Sequence, residues 1–289
     1  MSDPDPSTRT RRVRVGSLRL RYADSGVDRG KNDERPLLLV NGLGANIEMW
    51  APLQRSLGGR RTIAFDAPGT GGSSTPLRPL TVRELGRLTL DLLDTIGLRE
   101  VDVLGYSFGG AIAQELARAA APARIGRLVL AATTCGWGAL PGDPSALMTL
   151  LTPARYFFAP VTAASTALFG DGTLRDFAAA DAARLEHPPD AIGYWWQVLA
   201  ALGWSSLTWL HQLRVPTLVL AAEHDRMVRA STARLLAWRI PGARLEVVRG
   251  ANHYFLLREH NDGVARIIND FLDEDRGEGA QPEAALLSR

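Results

Sequence analysis

Short apolar runs alternate with longer amphipathic stretches over most of this chain. Four runs, at 37–40, 62–65, 101–104 and 128–131, are too short for helices, are bounded by turn residues and are apolar on both faces. That pattern predicts central strands of a largely parallel sheet flanked by helices, an α/β fold. Two further runs, at 13–15 and 18–22, flank Gly16-Ser17 and predict an entry hairpin. Between the strands the period changes to that of a helix. Thr81 and Glu84 make a capping box, Val82, Leu85, Leu92, Leu93 and Ile96 mark one face, and Gly97 ends the segment. Such alternation implies βαβ units with right-handed crossovers.

After residue 133 the rhythm stops. Residues 134–211 hold no clear strand but many Ala, Leu and aromatic residues, among them Tyr156, Phe157, Phe158, Tyr194, Trp195, Trp196, Trp204 and Trp209. Strand patterns resume at 217–221 and 245–248, with helices expected at about 230–239 and 259–273. The expected organisation is one core in two parts, 12–133 and 212–274, interrupted by a helical lid at 134–211. The sheet is finished only by chain on the far side of that insertion, which argues against a second independent domain. The ends, 1–11 and 275–289, are rich in polar residues, Pro, Ala and Gly and are expected to be disordered tails.

Composition excludes several classes. With 289 residues, 46% hydrophobic and 22% charged, the chain is an ordinary globular protein with room for one large core. The formal net charge is only +2, and Arg and acidic residues are interspersed. No basic block could track a phosphate backbone, so no nucleic-acid partner is expected. No apolar run approaches the length of a membrane span, and residues 1–12 lack the apolar stretch of a secretory leader. Cys135 is the only cysteine, which precludes an intrachain disulfide and suits a reducing, cytoplasmic location.

The candidate chemistry starts at Gly105-Tyr106-Ser107-Phe108-Gly109, between the strand at 101–104 and an apolar helix at 111–119. A G-x-S-x-G sequence alone is a weak signal, because Gly/Ser turns are common. In a strand-to-helix context it marks a sharp elbow that exposes a nucleophilic serine. The acid and histidine should follow in that order, each in a loop after a strand. The strand at 217–221 runs into Ala222-Glu223-His224-Asp225, and the strand at 245–248 runs into Arg249-Gly250-Ala251-Asn252-His253. The expected triad is therefore Ser107 as nucleophile, His253 as base and Asp225 as the residue that orients it. Glu223 is the nearest rival acid, but it is expected to end the strand. The other common acid location, Ala132-Thr133-Thr134, holds no carboxylate. His187, His211, His224 and His260 are read as surface or structural residues, with His260 inside the final helix.

Two backbone N–H groups should form an oxyanion hole, that of Phe108 and one from Asn41-Gly42-Leu43-Gly44, with Leu43 the best candidate. The stretch Asp66-Ala67-Pro68-Gly69-Thr70-Gly71-Gly72-Ser73-Ser74 lacks the Gly-Lys-Ser/Thr ending of a phosphate loop and is expected to be a scaffold turn. Cys135 has no base placed for it and is expected to be a buried apolar residue.

Together these residues resemble the α/β-hydrolase superfamily over about residues 13–273. Within it, Asn41-Gly42-Leu43-Gly44-Ala45-Asn46, Tyr194-Trp195-Trp196-Gln197 with Leu202-Gly203-Trp204, and Leu235-Leu236-Ala237-Trp238-Arg239-Ile240-Pro241 are similar to the intracellular depolymerases of medium-chain-length polyhydroxyalkanoates. So is the run from Phe65-Asp66-Ala67-Pro68-Gly69 to Ser74-Thr75-Pro76. The resemblance implies a cytoplasmic esterase without metal or organic cofactor that cleaves stored 3-hydroxyacyl polyester at a granule surface. It carries the triad roles onto Ser107, Asp225 and His253. The elbow departs from that family, with Tyr106 and Phe108 in place of a smaller residue and a tryptophan, which bears on acyl-chain preference. An apolar lid would suit an apolar acyl chain. The alternatives are a small-molecule carboxylesterase, lactonase or carbon–carbon bond hydrolase of the same fold, or a receptor that binds a ligand without turnover. Epoxide hydrolases and haloalkane dehalogenases need a carboxylate, and polyester synthases a cysteine, where this chain has Ser107.

Overall fold

The computed structural model describes residues 9–26, 35–139, 142–169 and 173–274. Its strands are β1 (Arg9–Val15), β2 (Leu18–Asp24), β3 (Leu37–Val40), β4 (Thr62–Phe65), β5 (Val101–Tyr106), β6 (Ile125–Ala131), β7 (Thr217–Ala222) and β8 (Arg244–Val248). They form one sheet in the order β1-β2-β4-β3-β5-β6-β7-β8. From β4 to β8 every pairing is parallel, and only β2 runs antiparallel to its neighbours, β1 and β4. This is the mostly parallel sheet that the apolar runs predict. Strand β3 explains why those runs carry no alternation. Leu38 and Val40 enter the core on one face and Leu37 and Leu39 the core on the other, and all four are buried.

Helices α2 (Val82–Thr95), α3 (Phe108–Ala119) and α8 (Ala230–Arg239) supply Leu85, Leu116 and Leu236 to the first of these cores. Helices α1 (Ala51–Ser56) and α9 (Asp262–Asp273) supply Leu53 and Ile268 to the second. Helix α2 begins as its sequence dictates: Thr81 accepts from the Glu84 N–H, and Glu84 accepts from the Thr81 N–H.

Some boundaries move. The first strand begins at Arg9, four residues before the apolar pattern at 13–15, so residues 9–11 are paired chain and not tail. Backbone pairing to β2 carries the strand outward through arginines, which charge an edge that would otherwise invite another strand. Residues 1–8 and 275–289, the rest of the expected tails, lie outside the described residues. His260 precedes α9 and does not sit within it.

Residues 134–211 hold helices α4 (Pro144–Leu150), α5 (Ala159–Phe169), α6 (Ala178–Glu186) and α7 (Ala191–Leu202). The two stems of this segment are stitched together where it leaves the core. Gly136 and Ser205 form an isolated antiparallel bridge, and the Ser206 N–H donates to Cys135 O at 2.9 Å. Burial pushes the Cys135 thiol up, which keeps it protonated and unreactive.

The loop after β4 is built around Asp66, whose side chain is fully buried. Its carboxylate accepts from Ile47 N–H (2.9 Å), Gly72 N–H (2.8 Å) and the Arg21 guanidinium (3.0 Å). Gly71 adopts a φ of 49°, and a Cβ there would lie 2.3 Å from an Asp66 oxygen. Burial raises the Asp66 carboxyl, while the two N–H groups and Arg21 pull it back down. Replacing Asp66 with Ala leaves the Ile47 and Gly72 N–H groups without their acceptor and Arg21 paired with Glu48 alone. The variant should lose about 2–4 kcal/mol of stability, read as a fall in the urea midpoint.

Candidate active site

Ser107, the loop after β3, the loop after β7 and the loop after β8 all lie at the carboxyl ends of parallel strands, where open α/β sheets bind ligands. Ser107 alone joins β5 to α3, with φ 54° and ψ −120°. A non-glycine residue in that region is strained, and its surroundings must hold it there. The Ser107 N–H donates to Ala131 O at 2.9 Å, while its carbonyl accepts from Gly110 N–H (2.9 Å) and Thr133 Oγ1 (2.6 Å).

The flanking glycines are required by close approach. A Cβ at Gly105 would meet Gly109 O at 2.6 Å, at Gly109 Val40 O at 2.1 Å, and at Gly110 Thr133 Oγ1 at 2.3 Å. Helix α3 thus sits directly on β3 and on the turn after β6, with no room for a side chain between.

His253 lies beside Ser107, with Nε2 3.2 Å from Oγ, and its Nδ1 is 2.7 Å from Asp225 Oδ2. His253 and Asp225 are both buried. The other Asp225 oxygen accepts the N–H groups of Met227 and Val228, each at 2.8 Å, so the carboxylate cannot turn away. Tyr106 donates its hydroxyl to His253 O at 2.9 Å and packs its ring against the imidazole. Burial pushes the Tyr106 phenol well up, which keeps it a donor. Glu223 points elsewhere, accepting from the Gly250 N–H at 2.8 Å from an exposed position. His187, His211, His224 and His260 do not line the cleft at Ser107.

Phe108 is the first residue of α3, where backbone N–H groups have no partner within the helix. Leu43 lines the cleft with Gly42, whose added Cβ would lie 3.4 Å from Ser107 Cβ. Among the described residues no acceptor takes either the Leu43 or the Phe108 N–H. Leu43 is held from the other side, since Tyr156 donates its hydroxyl to Leu43 O. Gln197 of α7 adds a second tie, accepting from Gly44 N–H (2.9 Å) and donating to Pro68 O (3.2 Å).

In the segment at 134–211 apolar side chains are accompanied by buried charge. Tyr156, Tyr194, Trp204 and Trp209 are buried, whereas Phe157, Phe158 and Trp195 are exposed. To the cleft that holds Ser107 it contributes Leu150 and Tyr156 and also Arg155 and Arg184, both arginines buried. Isolated arginines in a chain rich in arginine gave no signal, because only the folded segment turns these two inward.

A strained serine between strand and helix, with a histidine and a carboxylate in line behind it, defines a hydrolase of the α/β class. The model of the alpha/beta hydrolase family matches residues 37–267, and the chain belongs to that family. It is 40% identical to a poly(3-hydroxyalkanoate) depolymerase of Ectopseudomonas oleovorans over 86% of this chain and 87% of the relative. It is 28% identical to a 2-hydroxy-6-oxo-2,4-heptadienoate hydrolase of Pseudomonas putida over 91% of this chain and 95% of that one. Among solved structures, an enol-lactonase from Burkholderia xenovorans superposes with a TM-score of 0.77 at 25% identity, covering 91% of this chain and all of the other. The chain is a hydrolase.

The tight elbow makes a structural prediction. Gly109→Ala would drive a methyl group into a backbone carbonyl that cannot move without β3. The cost should be about 3 kcal/mol or more, measured as loss of folded protein in thermal melts.

Proposed function

We propose that this hydrolase cleaves ester bonds of medium-chain poly(3-hydroxyalkanoate) through an acyl-enzyme on Ser107. The observation that carries the reading is the Ser107–His253–Asp225 line of hydrogen bonds at 3.2 and 2.7 Å, in a chain 40% identical to a poly(3-hydroxyalkanoate) depolymerase.

His253 Nε2 accepts the Ser107 proton as Oγ attacks the ester carbonyl. Asp225 holds the imidazole with Nδ1–H toward itself, so that Nε2 is free to act as base, and it stabilises the imidazolium that forms. The N–H groups of Leu43 and Phe108 receive the negative oxygen of the tetrahedral intermediate. His253 then protonates the leaving hydroxyl. In the second half it activates water against the acyl-enzyme and releases a 3-hydroxy acid, with no metal or organic cofactor called upon.

The segment at 134–211 is read as a lid over this cleft, between core parts at 12–133 and 212–274. Its exposed Phe157, Phe158 and Trp195 suit adsorption to a polymer granule, because such side chains gain by leaving water. No helix among the described residues is long and apolar enough to cross a membrane. A cytoplasmic site of action accords with one buried, unpaired cysteine.

The likeness to an enol-lactonase and to a 2-hydroxy-6-oxo-2,4-heptadienoate hydrolase favours a second reading, a small-molecule hydrolase of the same fold. Purified enzyme should release 3-hydroxy acids from a medium-chain polymer suspension and also cleave p-nitrophenyl octanoate. Ser107→Ala should abolish both while staying folded, and Asp225→Asn should lower kcat by about 10³–10⁴. Cleavage of the soluble ester alone would select the second reading, and an active Ser107→Ala would end both. Replacing Phe157 and Phe158 with Ser should reduce co-sedimentation with polymer severalfold, with a smaller effect on p-nitrophenyl octanoate turnover.

A further inference from the structure

Two arginines face the cleft that holds Ser107 and His253, and they are not alike in charge balance. Arg184 donates to Asp181 at 2.7 Å and to Thr166 at 3.1 Å, and lies 4.4 Å over the Tyr254 ring. Asp181 neutralises it. Arg155 is 5% exposed, yet among the described residues no carboxylate pairs with it. It donates to the Tyr194 hydroxyl at 3.2 Å and rests near the Tyr156 and Tyr194 rings, and its buried Nε has no partner.

Aromatic faces and the Tyr194 and Tyr156 phenols offset part of the cost of burying a guanidinium, but a buried charge without a counter-ion still calls for an anion. Among the described residues the fold does not supply one. The catalytic cleft is where one can enter, and the flat fork of Arg155 matches a carboxylate.

We propose that Arg155, with Arg184 beside it, forms a carboxylate subsite in the catalytic cleft, so that the enzyme prefers ester bonds next to a free acid end. The proposal rests on ester hydrolysis at Ser107 and specifies which bond is taken. In an oligomer of 3-hydroxy acids only an oxygen, a methine and a methylene separate the last ester carbonyl from the terminal carboxylate. Seating that carboxylate on Arg155 brings the last ester bond toward Ser107, so chains shorten from their acid end and the leaving group is a 3-hydroxy acid. The same subsite binds that product.

Two inhibitors, 3-hydroxyoctanoate and its neutral primary amide, test this against p-nitrophenyl octanoate as reporter. The wild-type enzyme should bind the acid about ten-fold or more tightly than the amide, and the acid should raise the melting temperature where the amide does not. Arg155→Met should bring the two inhibition constants within about two-fold, and Arg155→Lys should restore part of the preference. Equal inhibition and equal thermal shift in the wild type, or a preference that survives in folded Arg155→Met, would overturn the subsite. The wild-type comparison decides the matter even where Arg155→Met does not fold. Failure to release acids from polymer would instead overturn the polyester reading and leave this result standing.

Discussion

One backbone conformation organises the site: Ser107 at positive φ, turning β5 into α3 within a single residue. The strain is held from both sides: the Ser107 N–H donates to Ala131 O, the Thr133 hydroxyl donates to Ser107 O, and three glycines let α3 settle onto β3 and the turn after β6. A methyl group at Gly105 would meet α3, at Gly109 the carbonyl end of β3, and at Gly110 the Thr133 side chain. The nucleophile position is therefore a property of the core, and its stability is drawn from strands on either side of β5.

The rest of the catalytic line depends on the same sheet. β7 and β8 are parallel neighbours, so their outgoing loops lie together, and the Glu223 N–H donates to Val248 O while the His224 N–H donates to Ala251 O. Those two bonds set the loops in register and bring Asp225 to His253. Two N–H groups then lock one carboxylate oxygen and leave the other for the imidazole. Glu223 differs from Asp225 by its place in that ladder: it caps the Gly250 turn at the surface.

Above the core, the helical segment is joined to the site by polar ties. Tyr156 and Gln197 hold the loop after β3, and Gly69 meets Gly193 so closely that neither can carry a side chain. The lining this segment gives the cleft is cationic and aromatic as well as apolar. A cleft of that kind discriminates among substrates by charge as well as by chain length, a distinction that the fold class by itself leaves open.

Reading the sequence alone reached the sheet, the helix starts at Thr81 and Ala230, and the three residues of the candidate triad. Those features are encoded locally: apolar runs bounded by turns, a capping box, and side chains placed directly after strands. The start of β1 at Arg9 was not legible, because there backbone pairing with β2 outweighs the polar side chains. The two arginines of the cleft were not legible either. Arg155 and Arg184 stand among many arginines in the sequence, and what sets them apart is burial by helices distant in the chain. Periodicity reports which face of an element is apolar, whereas the partners of a buried charge are decided only when those faces close on one another.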